Sequence, residues 1–359
     1  MGCLRVGDTP ARPPDVEREP SVDALVTKDA MKYFARRLLF YVIAAWVAIT
    51  LNFFIPHLMP GNPAGIAISR YQGTLTPQGL AALTQLFGIS KAPLYTQYWQ
   101  YLDHLFHGNL GTSLYYFPTP VTTIIAQRLP WTIILVGLVT IISFVLGTLL
   151  GIVAGWRRNS WVDALVPAGT FLSGIPYYWL ALLAIWLLAE KAGILPLGGG
   201  YSPLLVPGWN LTFISDAIVH GILPAITILL TSMGGWIVGM RNQMLTTLGE
   251  DYLSLAKAKG LRPRRIVFAY AARNAILPNV ASFAIALGLI VGGAIFTEIV
   301  FSYPGIGYTL YLAVENEDYP LMQALFLLIS LAVLFANFFV DIIYAYIDPR
   351  AKASQEGAL

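Results

Sequence analysis

The sequence predicts an all-α polytopic membrane protein with six transmembrane helices. Of 359 residues, 57% are hydrophobic and only 11% are charged, whereas a soluble domain carries about a quarter charged residues. Uncharged runs close to or above the ~20 residues needed to cross a bilayer recur along the chain. These runs are residues 38–55, 129–156, 164–189, 217–240, 274–297 and 319–340. The protein is therefore expected to lie in a lipid bilayer.

The distribution of Lys and Arg predicts that both termini are cytoplasmic. Six helices return the chain to its starting side, and Lys and Arg accumulate in cytoplasmic loops. With a cytoplasmic N-terminus, all Lys and Arg lie inside except Arg70, Lys91, Arg128 and Lys191.

The two ends of the chain are expected to lie outside the membrane domain. Residues 1–30 are Pro-rich and charged, which predicts a disordered tail, and they lack the apolar core of a signal peptide. Met31 opens a basic flank followed by an apolar run, so one hypothesis is that translation naturally starts there. Residues 351–359 form a second short tail.

The longest loop, residues 61–128, is placed outside and carries amphipathic helices. One begins at the N-cap Thr76 with Pro77 in the first turn and stops at Gly88. Another places Tyr98, Tyr101, Leu102 and Leu105 on one face. Asp103, His104 and His107 lie close enough to share a metal ion, but a polar rim on this helix is the favoured interpretation, and no metal site is expected.

Within the third apolar run, Gly174 and Pro176 predict a helix break, which membrane helices tolerate where neighbours satisfy the backbone. A kink at a translocation path and a simple packing kink are equally compatible with it.

A charged segment, residues 248–265, interrupts the apolar pattern. Glu250 and Asp251 suit a helix start and Lys257 and Lys259 a helix end, while Gly260 is a natural stop. A second helix follows and leads into the fifth apolar run.

Within that helix, Tyr252, Ala256 and Gly260 share one face. A solvated basic loop, or a patch on anionic lipid, would carry similar charges. The narrow face with Ala and Gly at its centre favours docking into a groove of another protein.

Several motifs extend this interpretation. "EDYLSLAKAKGL" and "RNAILP" resemble the cytoplasmic EAA loop of ABC importer permeases, and specifically the DppB/OppB-type subunits of the dipeptide/oligopeptide/nickel branch. Supporting motifs are "GNPA" (61–64), "GNLGTS" (108–113), "QRLPWT" (127–132) and "TEIVFSYPGIG" (297–307).

The resemblance implies a type I (MetI-like) permease fold. Residues 31–350 would form the transmembrane domain and residues 125–345 the core permease unit, in the cytoplasmic membrane of a bacterium or archaeon. The implied partners are a homologous second permease (DppC/OppC-like), two ABC ATPase subunits and an extracytoplasmic substrate-binding protein. The residues expected to dock the ATPase are Glu250, Asp251, Tyr252, Ala256, Lys257, Lys259, Gly260 and Leu261.

The chain itself is expected to be non-catalytic and to carry no cofactor. It has no G-x-x-x-x-G-K-[ST] phosphate-binding loop, so ATP and Mg²⁺ would be bound by the partner ATPase subunits. No nucleic-acid partner is expected. Peptide is the first choice of substrate, followed by an oligosaccharide and then nickel.

Glu298, with Pro304 and Gly305, is a candidate for the outer gate or for a contact with the binding protein; an interfacial structural acid is an equal alternative. A stand-alone secondary transporter or channel, or a membrane-embedded enzyme, would need charged or polar groups inside the apolar runs. His220 is the sole ionisable residue there, and helix packing is its favoured role.

Overall fold

The computed structural model describes the backbone of residues 22–58, 92–158, 160–292 and 295–347. These residues form helices joined by turns. The helices are α1 (Val22–Leu58), α2 (Leu94–Phe106), α3 (Val121–Trp156), α4 (Leu165–Gly174), α5 (Tyr177–Lys191), α6 (Leu211–Leu248), α7 (Asp251–Ala258), α8 (residues 263–275), α9 (Leu277–Gly288), α10 (Ile295–Val300), α11 (Ile306–Glu315) and α12 (Tyr319–Ile347). The predicted helix from Thr76 to Gly88, residues 1–21 and the C-terminal tail lie outside the described residues.

Four stretches are long and apolar enough to cross a membrane: Ala35–Ile55 in α1, α3, α6 and Tyr319–Ile342 in α12. A fifth is present if α4 and α5, which bend by 98° at their junction, form one span. The predicted break near Pro176 is confirmed. Ile175 is extended there, because the α conformation is disfavoured directly before proline.

The fifth predicted run, residues 274–297, is not one uninterrupted helix. α9 ends at Gly288 and is followed by a 3₁₀ turn, Leu289–Gly292, before α10 begins at Ile295. Glycine is a poor residue for a helix interior, and Gly288 is required by packing, since an added Cβ would lie 2.0 Å from that of Ala336 on α12. Within the described residues, six uninterrupted spans are therefore not observed.

Two domain boundaries also differ from the prediction. Helix α1 begins at Val22, so the last nine residues of the predicted disordered tail are helical, as residues such as Ala24 and Leu25 allow. Helix α3 begins at Val121, inside the predicted loop 61–128. In both cases the helix extends past its apolar stretch.

Small residues bring α3 and α6 into close contact. A Cβ added to Gly147, Gly151 or Gly155 would lie within 2.5–2.7 Å of atoms on α6. Such stripes allow backbones to approach where lipid offers no hydrophobic driving force. The α3–α6 pair is thus closely packed along its length.

Helix α2 is confirmed as amphipathic. Leu102 is buried, and the Tyr98 hydroxyl lies 2.8 Å from that of Thr50 on α1. On its exposed side, the His107 ring contacts the Asp103 carbonyl oxygen at 2.8 Å. In the part of the chain that the structure describes, no three candidate ligands converge on a metal site.

Candidate functional site

The charged segment folds as helix α7 lying across one end of the α3–α6 pair. Its inner side is apolar: Leu253 is 0% exposed and Ala256 is 4% exposed. Both belong to one buried cluster with Ile152 of α3, Met240 and Met244 of α6, and the inner residues of α8. One buried cluster therefore joins α7 to α3, α6 and α8.

The orientation of α7 corrects the proposed docking face. Sequence reasoning placed Ala256 at the centre of a surface open to a partner, whereas Ala256 lies against the protein's own core. Leu253 and Ala256 form an apolar pair at spacing i, i+3, and burying that pair turns the helix. The outward face instead carries Asp251, Leu255 and Ala258, and Leu255 is 57% exposed.

Tyr252 joins α7 to α8. The side-chain amide of Asn274 donates a hydrogen bond to the Tyr252 hydroxyl at 2.8 Å, and that hydroxyl donates to the Tyr270 carbonyl oxygen at 3.4 Å. The "EDY" and "RNA" motifs thus form one contact. Sequence comparison matched Asn274 without assigning it this role; only the fold brings it to Tyr252.

Gly260 ends α7, as predicted, in a left-handed conformation with φ +69°. The Gly260 amide donates to the Lys257 carbonyl oxygen and the Leu261 amide to that of Ala256, which is the Schellman arrangement. Leu261 packs against the buried cluster at the same point. The "KGL" motif therefore fixes where the chain leaves the helix.

The charged residues of the segment remain accessible. Glu250, Asp251, Lys257 and Lys259 are exposed. Glu250 occupies the N-cap position but its side chain caps no backbone amide. These groups are free to meet charges on another protein.

A second cluster surrounds Glu298, which is 0% exposed. Its carboxylate accepts hydrogen bonds from the Thr132 hydroxyl at 2.7 Å, the Gly307 amide at 2.7 Å and the Tyr308 amide at 3.2 Å. Gly307 and Tyr308 lie in the first turn of α11, whose amides have no helical partner. Glu298 therefore caps α11 and ties it to α3 and α10.

The "PGIG" sequence leaves room for this carboxylate. A Cβ added to Gly305 would lie 2.4 Å from both carboxylate oxygens. Pro304 packs against Gly200, where an added Cβ would lie 2.5 Å from the proline ring. The glycine run at residues 198–200, interpreted only as a loop, is thus the surface on which the turn after α10 rests.

Glu298, Pro304 and Gly305 are all buried. A direct contact of these side chains with an external protein is therefore excluded in this conformation, and the geometry supports the structural alternative. A gating role stays a prediction. Burial also raises the pKa of the adjacent Tyr303, with a further contribution from Glu298.

Sequence reasoning missed two polar partners at this end. Thr132 accepts from the Ile306 amide at 2.8 Å while donating to Glu298. Asp318 accepts from the Ser113 hydroxyl, from the Tyr115 amide and from the Leu321 amide. Ser113 closes the "GNLGTS" motif and Thr132 closes "QRLPWT", so the motifs themselves were the available signal.

The long apolar helices define an integral membrane protein, and α7 presents a charged, exposed face at one end of its bundle. Comparison with known families gives the particular assignment. The family model described as "Binding-protein-dependent transport system inner membrane component" matches residues 147–353. The model of the corresponding N-terminal region matches residues 30–136. The chain belongs to this family of ABC transporter permeases, and the resemblance seen in the motifs is confirmed.

Several curated relatives are similar along almost their whole length. The dipeptide transport system permease protein DppB of Alkalihalophilus pseudofirmus is 34% identical, over 90% of this chain and 100% of the relative. The probable D,D-dipeptide transport system permease protein DdpB of Escherichia coli is 34% identical, over 86% and 94%. The oligopeptide transport system permease protein AppB of Bacillus subtilis is 30% identical, over 89% and 99%.

Proposed function

We propose that this chain is one permease subunit of an ATP-driven importer and forms the translocation path together with a homologous second permease. One of two ABC ATPase subunits would dock on α7 and the other on the second permease, and an extracytoplasmic binding protein would deliver the substrate. The observation that carries the proposal is helix α7, whose inner side is built into the α3–α6 core and whose outer side is exposed.

The dimensions of α6 suit this role. Its 38 residues extend about 57 Å at 1.5 Å per residue, well beyond the ~30 Å hydrocarbon core. The helix thus reaches from the membrane to α7. Closure of an ATPase pair would move α7 as a unit with α3 and α6, and this movement would switch the path between its two openings.

The proposal includes six membrane crossings, with α4–α5 and α9–α10 as interrupted spans, and both termini in the cytoplasm. The cluster of Lys and Arg around α7 and α8 supports this orientation. Labelling with a membrane-impermeant maleimide in a Cys3→Ser background tests it. An Ala258→Cys variant should react only in inside-out vesicles, and a Leu204→Cys variant only in right-side-out vesicles.

Peptide is the proposed cargo because the relatives described above are named for peptide, dipeptide or oligopeptide transport. An oligosaccharide is the alternative, and nickel the next. The structure has a cavity of about 340 Å³ among the apolar helices, lined by residues that include Tyr177, Ser232 and Trp236. The described residues that line it include no charged side chain, which favours an uncharged or internally neutral cargo over a metal cation.

Reconstitution tests the function. The tagged chain, purified with its partners and placed in liposomes, should take up L-alanyl-L-alanine only with ATP and the binding protein. Uptake driven by an ion gradient without any ATPase would instead establish a secondary transporter. ATP-dependent uptake of maltotriose, without dipeptide uptake, would establish the oligosaccharide alternative.

A further inference from the structure

Helix α2 lies beside the apolar stretch of α1 and not beyond its end. The Tyr98 hydroxyl of α2 lies 2.8 Å from that of Thr50 on α1, and the Tyr98 ring meets the Phe53 ring edge-on at 5.2 Å. The apolar stretch of α1 ends at Ile55. Thr50 precedes that end by about 7.5 Å at 1.5 Å per residue. The Tyr98 hydroxyl therefore lies inside the end of a membrane-crossing segment, although α2 belongs to the predicted external loop.

Polar contacts hold α2 at this depth. The side-chain amide of Asn52 on α1 donates to the Tyr101 hydroxyl of α2 at 3.4 Å and to the Gln323 carbonyl oxygen of α12 at 2.8 Å. Leu102, which follows Tyr101, is buried. One side of α2 is thus tied to α1, and this contact fixes which of its other residues face outward.

The outward side of α2 carries an aromatic stripe formed by Tyr95, Trp99 and Phe106. These three side chains are 70%, 65% and 77% exposed, and with 3.6 residues per turn they lie within about 40° of one another around the helix. Gln100 and His104 are exposed on the other side. The helix therefore has a packed side, an aromatic side and a polar side, as expected at a boundary between lipid and water.

The aromatic stripe continues the apolar surface of α1. The rings of Trp46 and Tyr98 are 6.4 Å apart, and those of Tyr98 and Trp99 are 6.1 Å apart. Trp46 is itself exposed and belongs to the apolar stretch of α1. Among the described residues, that stretch is the least buried of the four long ones, so α1 is a peripheral helix. A surface that runs from α1 onto α2 is expected to share its surroundings.

We propose that α2 is an interfacial helix whose aromatic stripe is embedded among the phospholipids around the end of α1. The leaflet, though not the lipid contact, rests on the proposed function, whose topology makes it the outer one. Trp and Tyr concentrate at this level because their rings are apolar while their N–H and O–H groups meet the headgroups. Interfacial helices bury their apolar side by about 5–10 Å, which agrees with the depth of Thr50.

The composition of α2 indicates how the lipid is bound. Residues Leu94–Phe106 include no Lys or Arg, so attraction to anionic headgroups does not hold the helix in place. Burial of the three rings and the contacts with α1 do. The lipid contact is therefore expected to be independent of the anionic lipid content of the membrane.

Spin-label accessibility in the assembled importer tests the proposal. In a Cys3→Ser background, nitroxide labels are placed through Trp99→Cys and, as the matched control, through His104→Cys, and the importer is reconstituted in phosphatidylcholine nanodiscs. Both positions are exposed on α2, about 140° apart around the helix. Oxygen, which concentrates in lipid, should relax the label at position 99, and aqueous nickel-EDDA the label at position 104. The ratio of the two accessibilities should differ several-fold between the positions.

Other occupants of the stripe would give different results. If the second permease covers it, the label at position 99 should be immobile and protected from both agents. If the stripe is an open face for the binding protein, nickel-EDDA should reach positions 99 and 104 equally. Either result would overturn the lipid contact. Labels placed through Tyr95→Cys and Phe106→Cys should repeat the result at position 99, and replacing part of the phosphatidylcholine by phosphatidylglycerol should not change it. A dependence on phosphatidylglycerol would overturn the binding by ring burial.

Failure of the lipid contact is distinguishable from failure of the proposed function. If maleimide labelling confirms the topology but water reaches position 99, the interfacial helix is wrong and the import function stands. If the labelling reverses the topology while position 99 remains in lipid, the lipid contact stands and the proposed orientation fails.

Discussion

The side-chain amide of Asn274 donates a hydrogen bond at 2.8 Å to the hydroxyl of Tyr252, and so joins helices α7 and α8 across 22 residues of sequence. The two motifs that contain these residues are therefore two sides of one contact. Together with the buried Leu253 and Ala256, it makes α7 part of the permease body.

Disruption of the Tyr252–Asn274 pair should reduce coupling without preventing assembly. Tyr252→Phe and Asn274→Ala should each lower uptake several-fold, because the tie between α7 and α8 is worth about 1 kcal/mol. The double variant should be no worse than the more impaired single variant, since both remove the same bond. Fully additive losses, measured as uptake per ATP hydrolysed, would contradict this.

The outward face of α7 predicts which substitution blocks docking. Leu255→Asp should abolish retention of the ATPase subunits during purification, because it places a charge on the exposed apolar position of that face. Leu204→Asp is the matched control, as Leu204 is 96% exposed in the loop between α5 and α6. Retention unaffected by Leu255→Asp would place the docking surface elsewhere. Ala256→Asp is unsuitable for this purpose, since it buries a charge in the protein's own core.

Gly305 should be intolerant of any side chain. Gly305→Ala places a Cβ against the Glu298 carboxylate, and such overpacking costs about 1–3 kcal/mol. The apparent melting temperature in detergent should fall. Gly221→Ala, in α6 with nothing within 4 Å of an added Cβ, should leave it equal or raise it. Equal melting temperatures of the two variants would show that the Glu298 carboxylate moves aside.

The end of α7 depends on the left-handed conformation of Gly260. Gly260→Ala should cost about 1–2 kcal/mol because the added Cβ is strained there, while Gly260→Asn should cost less, since Asn tolerates that region. Hydrogen exchange should show faster exchange of the amides of residues 257–261 in the Ala variant. Similar exchange in both variants would mean that the turn is held by Leu261 packing alone.

The amount that could be predicted differs between elements. Four apolar runs, the break at Pro176 and the end of α7 at Gly260 are local consequences of composition, proline and glycine, and the structure confirms them. The fifth run was predicted as a continuous helix, which it is not. The prediction was wrong because apolar composition indicates that a segment lies in the membrane but does not indicate the conformation of its backbone.

The roles of the acidic and small residues could not be obtained in this way. Glu298 lies near the end of an apolar run, where a gate and a structural cap have the same sequence signature. Three donors from two helices show that it caps α11, and they are 9, 10 and 166 residues away in sequence.

The sequence by itself determined that this is a membrane protein, and it determined most of the membrane segments and the family. These properties depend on the length of the apolar runs, the charge and the local motifs. Only the tertiary structure decided which side of α7 faces outward. Tyr252, Ala256 and Gly260 share a face in any helix, but whether that face meets the protein or a partner depends on where α3, α6 and α8 lie. The burial of Leu253 and Ala256 against those helices settles it. The residue pattern within α7 does not by itself say where α3, α6 and α8 lie.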